Sequence, residues 1–507
     1  MDLKIALIGK SYGWVQILKQ IGIKFDLLVD TSTNQLLQYP VIVLSESASN
    51  HDIIQAKKYV ETGGSLLCST KKFYQNNAVK NLKERYVKFL LTDRDGYFNI
   101  GEFIDLWRNI VYLDYAEHLK SNIGEFTLTE MNYGDGKVIL LPFDAGSLYD
   151  DHSYKHKSFY SYKNRLPHER VAKVSKGPVR KIVSNSLEYL FHSQNLLYCH
   201  KWYFPATEKN VFLFRVDTDY GKFQNISDLY QLALEHNIPI TWFIDVKSQK
   251  DILEFYTKIQ NQELALHCFE HREFKNAGEY MSDLATAIEY LHKYEIYPEG
   301  FAAVYGKWNR EISNVIKDFD FEYSSEFCFD YDNLPCFDEN ENLQIPVHPI
   351  CVGSLRRQGH SASDMIRYFE LITQKKINNQ EPLIFYHHPN DENIEVVHYL
   401  FNKIKNLQIP AYSFLSYAKW WKNRVEVDYS ARFENKSLEV EFKESNKCAL
   451  RITNKENQET FISNSGSYDI SQLKWQMKPV PSELPRDFNK IYKMNIWKII
   501  NKLEDMI

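Results

Sequence analysis

VFLFRVDTDYG, residues 211–221, is an apolar strand that runs directly into two carboxylates. Side chains alternate along a strand, so Arg215, Asp217 and Asp219 are predicted to share one face. In a parallel barrel, the groups at the carboxyl ends of the strands meet at one mouth. Buried charges of this kind are costly unless a cation joins them, and a metal ion would do so. An acidic turn at the end of a strand, with no chemistry, is the alternative.

Two later stretches bring histidines to similar positions. HCFEH (267–271) follows the predicted strand Glu263–Leu266. If it opens a helical turn, its two histidines stack on one face and can bind one ion. LIFYHHP (383–389) is an apolar strand that ends in His387 and His388. The alternatives are unrelated surface histidines in the first stretch and a buried, structural histidine in the second.

Taken in chain order, these three motifs resemble those of polysaccharide deacetylases with the NodB homology domain, which is carbohydrate esterase family 4. The resemblance covers roughly Phe204–Trp421. It implies a (β/α) barrel and a metal-dependent hydrolase that removes an N-acetyl or formyl group from an amino sugar or glycan precursor.

The resemblance also implies roles for individual residues. Asp217 would be the general base, and His388 the general acid. Asp219, His267 and His271 would hold the metal. Imidazole and carboxylate ligands favour zinc, and cobalt or nickel would fit the same site.

The loop AAVYG (302–306) matches the family loop that carries an arginine, prolines, tyrosine and glycine. The backbone N–H of Tyr305 would then bind the oxyanion. Because Ala302 stands where the family has arginine, Arg215 is predicted to orient the base instead. His387, the less favoured alternative for the general acid, and His348 are predicted to line the substrate pocket.

The remaining chain predicts a multidomain α/β protein. Five successive parts are expected: a flavodoxin- or amidotransferase-like accessory domain (1–145), a connector (146–206), the deacetylase-like barrel (207–423), an antiparallel β unit (424–475) and a C-terminal tail helix (476–507). The barrel is predicted to close with a strand over Ala411–Phe414.

The N-terminal part alternates short apolar strands with helical stretches, which is typical of a parallel sheet. Its strands are predicted over Lys4–Ile8, Phe25–Val29, Val41–Leu44, Ser65–Cys68 and Lys137–Pro142. YVETGGSLLCS (59–69) resembles class I glutamine-amidotransferase-like domains. Ser45-Glu46-Ser47 offers no cysteine nucleophile, so we expect a non-catalytic domain.

The composition excludes several classes of function. The 507 residues carry 61 basic and 66 acidic side chains, a net charge of −5, which does not favour nucleic acid as a partner. No transmembrane segment or signal peptide is predicted. Seven scattered cysteines fit a reducing cytoplasm. The substrate would then be an acylated sugar, a lipid-linked sugar or another glycan precursor. The oligomeric state is not predicted.

Two other functions stay open at this point. The first is a glycosyltransferase, because Asp217-Thr218-Asp219 after a strand also matches the metal-binding DxD motif of those enzymes. That interpretation leaves His267, His271 and His388 without a role. The second is a carbohydrate-binding or scaffold protein that has kept the barrel and lost its activity.

Overall fold

The computed structural model describes residues 1–29, 31–75, 80–93, 95–443, 448–494 and 496. The predicted multidomain α/β class is confirmed. The chain forms two compact units, each built from three segments. One unit contains Met1–Asp151, Lys173–Glu208 and Trp421–Glu483, and the other contains His152–Ala172, Lys209–Trp420 and the described residues from Leu484 onward. The five predicted domain ranges stay a prediction.

The first unit is built on a nine-stranded sheet. Its parallel half has, in spatial order, the strands Phe25–Leu28, Ile5–Ile8, Val41–Leu44, Ser65–Ser69 and Gly136–Leu141. The antiparallel half continues with Phe126–Tyr133, His118–Ser121, Leu82–Leu91 and Phe103–Leu113. The predicted N-terminal strands are therefore present, and their apolar runs are buried because helices cover parallel strands.

The helices of the first unit are Tyr12–Ile21, Thr33–Leu36, Asn50–Glu61, Thr70–Phe73, Ala145–Tyr149 and Lys176–Ser193. The last of these lies in the predicted connector, where the sequence shows little periodicity. Fourteen of its 18 residues are buried, so it lacks the polar stripe by which an amphipathic helix is detected.

Two smaller sheets complete the first unit. One pairs Tyr198–Lys201, Leu450–Thr453, Gln458–Ile462 and Gln476–Met477, and the other pairs Tyr429–Glu434, Ser437–Phe442 and Gly466–Asp469. Both are antiparallel. Of the predicted tail helix, the structure shows the strand Gln476–Met477 and a 3₁₀ turn at Phe488–Ile491, while residues 495 and 497–507 lie outside the described residues.

The second unit is built on an open eight-stranded sheet. In spatial order its strands are Cys336–Phe337, Leu343–Gln344, Tyr323–Ser324, Gly300–Phe301, Glu263–Cys268, Ile240–Asp245, Phe212–Asp217 and Leu383–His387. All neighbours are parallel except the first two strands. The carboxyl ends of the motif-bearing strands therefore lie at one edge, as the sequence predicts.

Helices and short turns connect these strands. They are Phe223–His236, Val246–Gln249, Leu253–Tyr256, Ala277–His292, Arg310–Asp318, Val352–Arg357, Ala362–Asn378 and Ile394–Asn406. The next helix, Phe414–Glu426, begins in this unit and continues past its boundary at Trp420. The predicted strand Ala411–Phe414 is wrong, because only a single bridge joins Ala411 to Phe212. The Ser413 hydroxyl accepts the N–H of Ser416 at 3.2 Å and so begins a helix instead.

The second unit also contains a β-hairpin from the predicted connector. Tyr154–Ser158 pairs antiparallel with His168–Ala172, and the N–H of Ala172 donates to the carbonyl of Phe327 at 3.0 Å. Among the described residues, no helix is long and apolar enough to cross a membrane.

Candidate active site

The strand Phe212–Asp217 positions the first pair of functional side chains. Arg215 and Asp217 both point to the same face and are buried. Arg215 Nε donates to Asp217 Oδ1 at 2.6 Å and Nη2 to Oδ2 at 2.8 Å. Nη1 donates to the carbonyl of Ser325 at 2.6 Å, which fixes the guanidinium from its other side. The hydrogen bond expected between the arginine and the carboxylate is present, and it is bidentate.

Asp219, His267 and His271 converge at the end of the sheet. His267 Nε2 lies 3.2 Å from Asp219 Oδ1, and His271 Nε2 lies 3.0 Å from Asp219 Oδ2. Despite these distances, Asp219 Oδ1 and both imidazole nitrogens are buried without a hydrogen-bond partner. Three acceptor atoms that lie close together without bonding one another are the arrangement expected around a cation.

The histidine tautomer fits that interpretation. His267 Nδ1 lies 2.6 Å from the carbonyl of Ala302, so Nδ1 carries the proton and Nε2 offers its lone pair. The position where the family has an arginine thus contributes a backbone oxygen. His267 belongs to the strand Glu263–Cys268 and His271 lies in the following bend, so the conditional helical turn of the sequence analysis does not form.

The donor set of one carboxylate and two imidazoles fits a divalent transition metal such as zinc. Asp219, His267 and His271 form one of the two groups of side chains in the described part of the chain that could hold an ion.

His388 lies beside this group, directly after the strand Leu383–His387. Its Nε2 is 3.6 Å from Asp219 Oδ2, and its Nδ1 is 3.0 Å from Asp391 Oδ2. Cys351 Sγ lies 3.4 Å from the same Asp391 oxygen. Burial lowers the pKa of His388, but its hydrogen bond with Asp391 outweighs burial and raises the pKa well above the ordinary value.

Asp391 and Cys351 were not predicted from the sequence. Cys351, His388 and Asp391 form the second group of potential metal ligands. The sequence spacing could have indicated Asp391, because it lies three residues after His388. The two residues are joined by a one-turn 3₁₀ helix that begins with Pro389. An acidic residue in that first turn can reach back to the preceding side chain.

Two predicted pocket residues lie elsewhere. His387 points to the opposite side of its strand from His388, towards Phe214 and Phe385, and burial lowers its pKa to about 4. His348 Nδ1 lies 2.9 Å from Asp332 Oδ2, and its Nε2 lies 2.9 Å from the Tyr368 hydroxyl. Neither residue lines the cavity described next, which departs from the expectation. The reason is strand alternation for His387 and a buried ion pair for His348.

A cavity of about 500 Å³ opens over these groups. Its walls contain Asp217, Asp219, His267, His271, Tyr305, Gly306, Phe327, Arg357, Tyr386, His388 and Glu273, together with His156, Glu169 and Arg170 of the hairpin. The hairpin side chains and Arg357 were also missed, because no local pattern connects them with the strand-end motifs.

The loop after Ala302 supplies one edge of the cavity. Tyr305 and Gly306 both have left-handed backbone conformations, with φ of 58° and 57°. The Tyr305 ring lies 5.1 Å from the His271 ring and is 49% exposed. Glu326 braces the loop by accepting the N–H of Ala303 at 3.1 Å, and burial raises the pKa of this carboxyl to about 7.

No protein-family model and no curated protein matches the chain. Among solved structures, it is similar to a Mycobacterium smegmatis protein described as a polysaccharide deacetylase, with 14% identity and a TM-score of 0.39 over 44% of this chain and 94% of that one. It is similar to an allantoinase with 12% identity and a TM-score of 0.39, over 44% and 93%. A carbohydrate esterase family 4 pseudoenzyme of Bacillus anthracis has 15% identity and a TM-score of 0.32, over 42% and 66%. Two of these structures, the M. smegmatis protein and the B. anthracis pseudoenzyme, carry the name of the family that the motifs predict.

Proposed function

We propose that the chain is a metal-dependent hydrolase that removes an N-acetyl or formyl group from an amino sugar or glycan precursor. One observation carries the proposal: Asp219, His267 and His271 present unpaired ligand atoms to one point, beside a carboxylate held by an arginine. A glycosyltransferase DxD site would not need the histidines that converge there.

The chain's own residues supply the proton transfers of an amide hydrolysis. Asp217 takes a proton from the attacking water, and Arg215 holds its carboxylate in one orientation. His388 keeps its Nδ1 on Asp391 and presents its Nε2 beside Asp219, so a proton at Nε2 can pass to the departing nitrogen. The backbone N–H of Tyr305 is the proposed donor to the developing oxyanion.

A metal would be held by Asp219, His267 and His271. When bound, zinc or a similar ion supplies Lewis acidity, which polarises a carbonyl and makes a water more acidic. The orientation of the base, the proton on His388 and the walls of the cavity are supplied by the protein itself.

Acetate release tests the proposal. The full chain, stripped of metal and reloaded with zinc, cobalt or nickel, is incubated with N-acetylglucosamine, its oligomers and nucleotide- or lipid-linked N-acetyl sugars, and acetate is measured with a coupled assay. We expect metal-dependent release from at least one of these. N-formyl sugars are tested in parallel by formate release, and a protein that binds the sugars, holds zinc and never releases acetate or formate would instead be the inactive carbohydrate-binding alternative.

A further inference from the structure

Arg357 lines the candidate active-site cavity without an acidic partner. It ends the short helix Val352–Arg357, and its side chain is exposed where it faces the cavity. Its Nη2 donates to the Ser354 hydroxyl at 3.4 Å, which is a weak contact. Among the described residues, no carboxylate forms an ion pair with its guanidinium within 4.0 Å. Burial lowers the pKa of Arg357, but the more distant groups Cys351, Tyr386, Asp391 and Glu169 outweigh burial and raise it.

The other arginines near this site each form an ion pair, although Glu273, the partner of Arg170, is shared with Lys307. Arg215 is bonded to Asp217. Arg170, in the cavity wall, lies 3.3 Å from Glu273 Oε1. Arg356, the neighbour of Arg357 in the chain, pairs with Glu392 at 2.6 Å and does not line the cavity. Arg357 therefore differs from these arginines, because it forms no ion pair.

The two carboxyl groups that act on Arg357 are each bonded to another group. Glu169 accepts the N–H of Arg170 at 2.8 Å. Asp391 is already bonded to His388. A cationic side chain in a cavity wall that has no ion-pair partner is stabilised by an anion that enters from solution.

We propose that Arg357 binds an anionic group of the substrate, so that the acylated amino sugar processed here carries a carboxylate or a phosphate. Both anions present two oxygens to the fork of a guanidinium, which explains why arginine suits this position. The sugar itself rests on the proposed function. Arg357 determines specificity, and the reacting atoms belong to the groups around Asp219.

Binding measurements test this proposal without turnover. Glucosamine, glucosamine 6-phosphate and the glucosamine-derived uronic acid are titrated calorimetrically into the full chain and into the variants Arg357→Gln and Arg356→Gln. We expect one or both charged sugars to bind the wild type about 10- to 100-fold more tightly than glucosamine. That preference should disappear in Arg357→Gln and persist in Arg356→Gln. A bound metal contributes equally to all three proteins, so the difference between the variants isolates Arg357.

The two charged sugars distinguish the two sources of the anion. Tighter binding of the 6-phosphate assigns a sugar phosphate, and tighter binding of the uronic acid assigns an acidic glycan. If the wild type binds glucosamine and its two anionic derivatives equally well, the proposal is overturned. Arg357→Gln binding that equals the wild type does so as well.

Acetate release from the N-acetylated forms separates this proposal from the proposed function. The expected readout is the ratio of kcat/KM for the charged over the neutral sugar, which should fall about tenfold or more in Arg357→Gln. Arg357-dependent binding without release of acetate from the N-acetyl forms or of formate from the N-formyl forms would refute the hydrolase and leave the anion site in place. Acetate release with an unchanged ratio would refute the anion site and leave the hydrolase in place.

Discussion

The guanidinium of Arg215 donates two hydrogen bonds, of 2.6 and 2.8 Å, to the carboxylate of Asp217. Arg215 lies two residues before Asp217 on the same strand. Both side chains are buried. Because a single strand carries both groups, the pleat alone sets their spacing. Arg215 therefore holds the proposed base from the same strand, and the carbonyl of Ala302 accepts a hydrogen bond from His267 instead.

Replacing this arginine should impair both activity and stability. Arg215→Met leaves a buried carboxylate without its partner, which typically costs about 3–5 kcal/mol of unfolding free energy. We expect turnover to fall about 100-fold or more, in line with the loss of general-base catalysis. Arg215→Lys should recover part of the stability and little of the activity, because a lysine cannot form the bidentate contact. Normal turnover in Arg215→Met would refute the orienting role.

Removing one ligand should abolish metal binding and leave the fold intact. His271→Ala is expected to lose bound zinc, as measured by elemental analysis, and to lose the rise in melting temperature that added zinc gives the wild type. His292→Ala is the matched control, since His292 is an exposed histidine at the end of the helix Ala277–His292. Equal zinc content in both variants would remove His271 from the metal site.

Neutralising the base should separate chemistry from metal binding. Asp217→Asn preserves the shape of the side chain and removes its basicity, so turnover should fall about 10²- to 10⁴-fold. Zinc content should not change, because Asp219 is the carboxylate that faces the two histidines. If zinc is lost together with activity, Asp217 is a ligand and another group is the base.

Glu326 should make the stability of its unit depend on pH. Burial raises its pKa to about 7, whereas the unfolded chain titrates near 4.5. Between these values the unfolded chain releases a proton that the folded protein keeps, so stability falls as pH rises, by about 3 kcal/mol across the window. The penalty is absent below the unfolded pKa and fully present above pH 7.

Urea unfolding at pH 5 and pH 8 tests this expectation. At pH 8, Glu326→Gln should have its unfolding midpoint at a higher urea concentration than the wild type. This difference between the two midpoints should be smaller at pH 5. Glu289→Gln changes an exposed glutamate and serves as the control. If the difference between the two urea midpoints is the same at pH 5 and pH 8, Glu326 does not titrate in this range.

The sequence predicted the strand-end motifs well because each one joins an apolar run to its polar residues within a few positions. Asp217, Asp219, His267 and His388 come together because parallel strands bring their ends to one edge. His387 and His388 are adjacent, and alternation allows only one of them to face the cavity; the motif alone did not say which. Arg357 and the hairpin reach the cavity through long-range packing, which no local pattern encodes.

The three-segment construction of each unit has a consequence for synthesis on the ribosome. The strand Tyr198–Lys201 of the first unit pairs with Leu450–Thr453, more than two hundred residues later. All the segments of the cavity-bearing unit from His152 to Trp420 emerge before that partner strand does. The first unit is therefore still incomplete when the stretch up to Trp420 has been made, and its strand Tyr198–Lys201 stays unpaired until Leu450–Thr453 is synthesised. A stalled nascent chain that has emerged from the ribosome as far as Trp421 should carry a formed active-site cavity and an unfinished first unit.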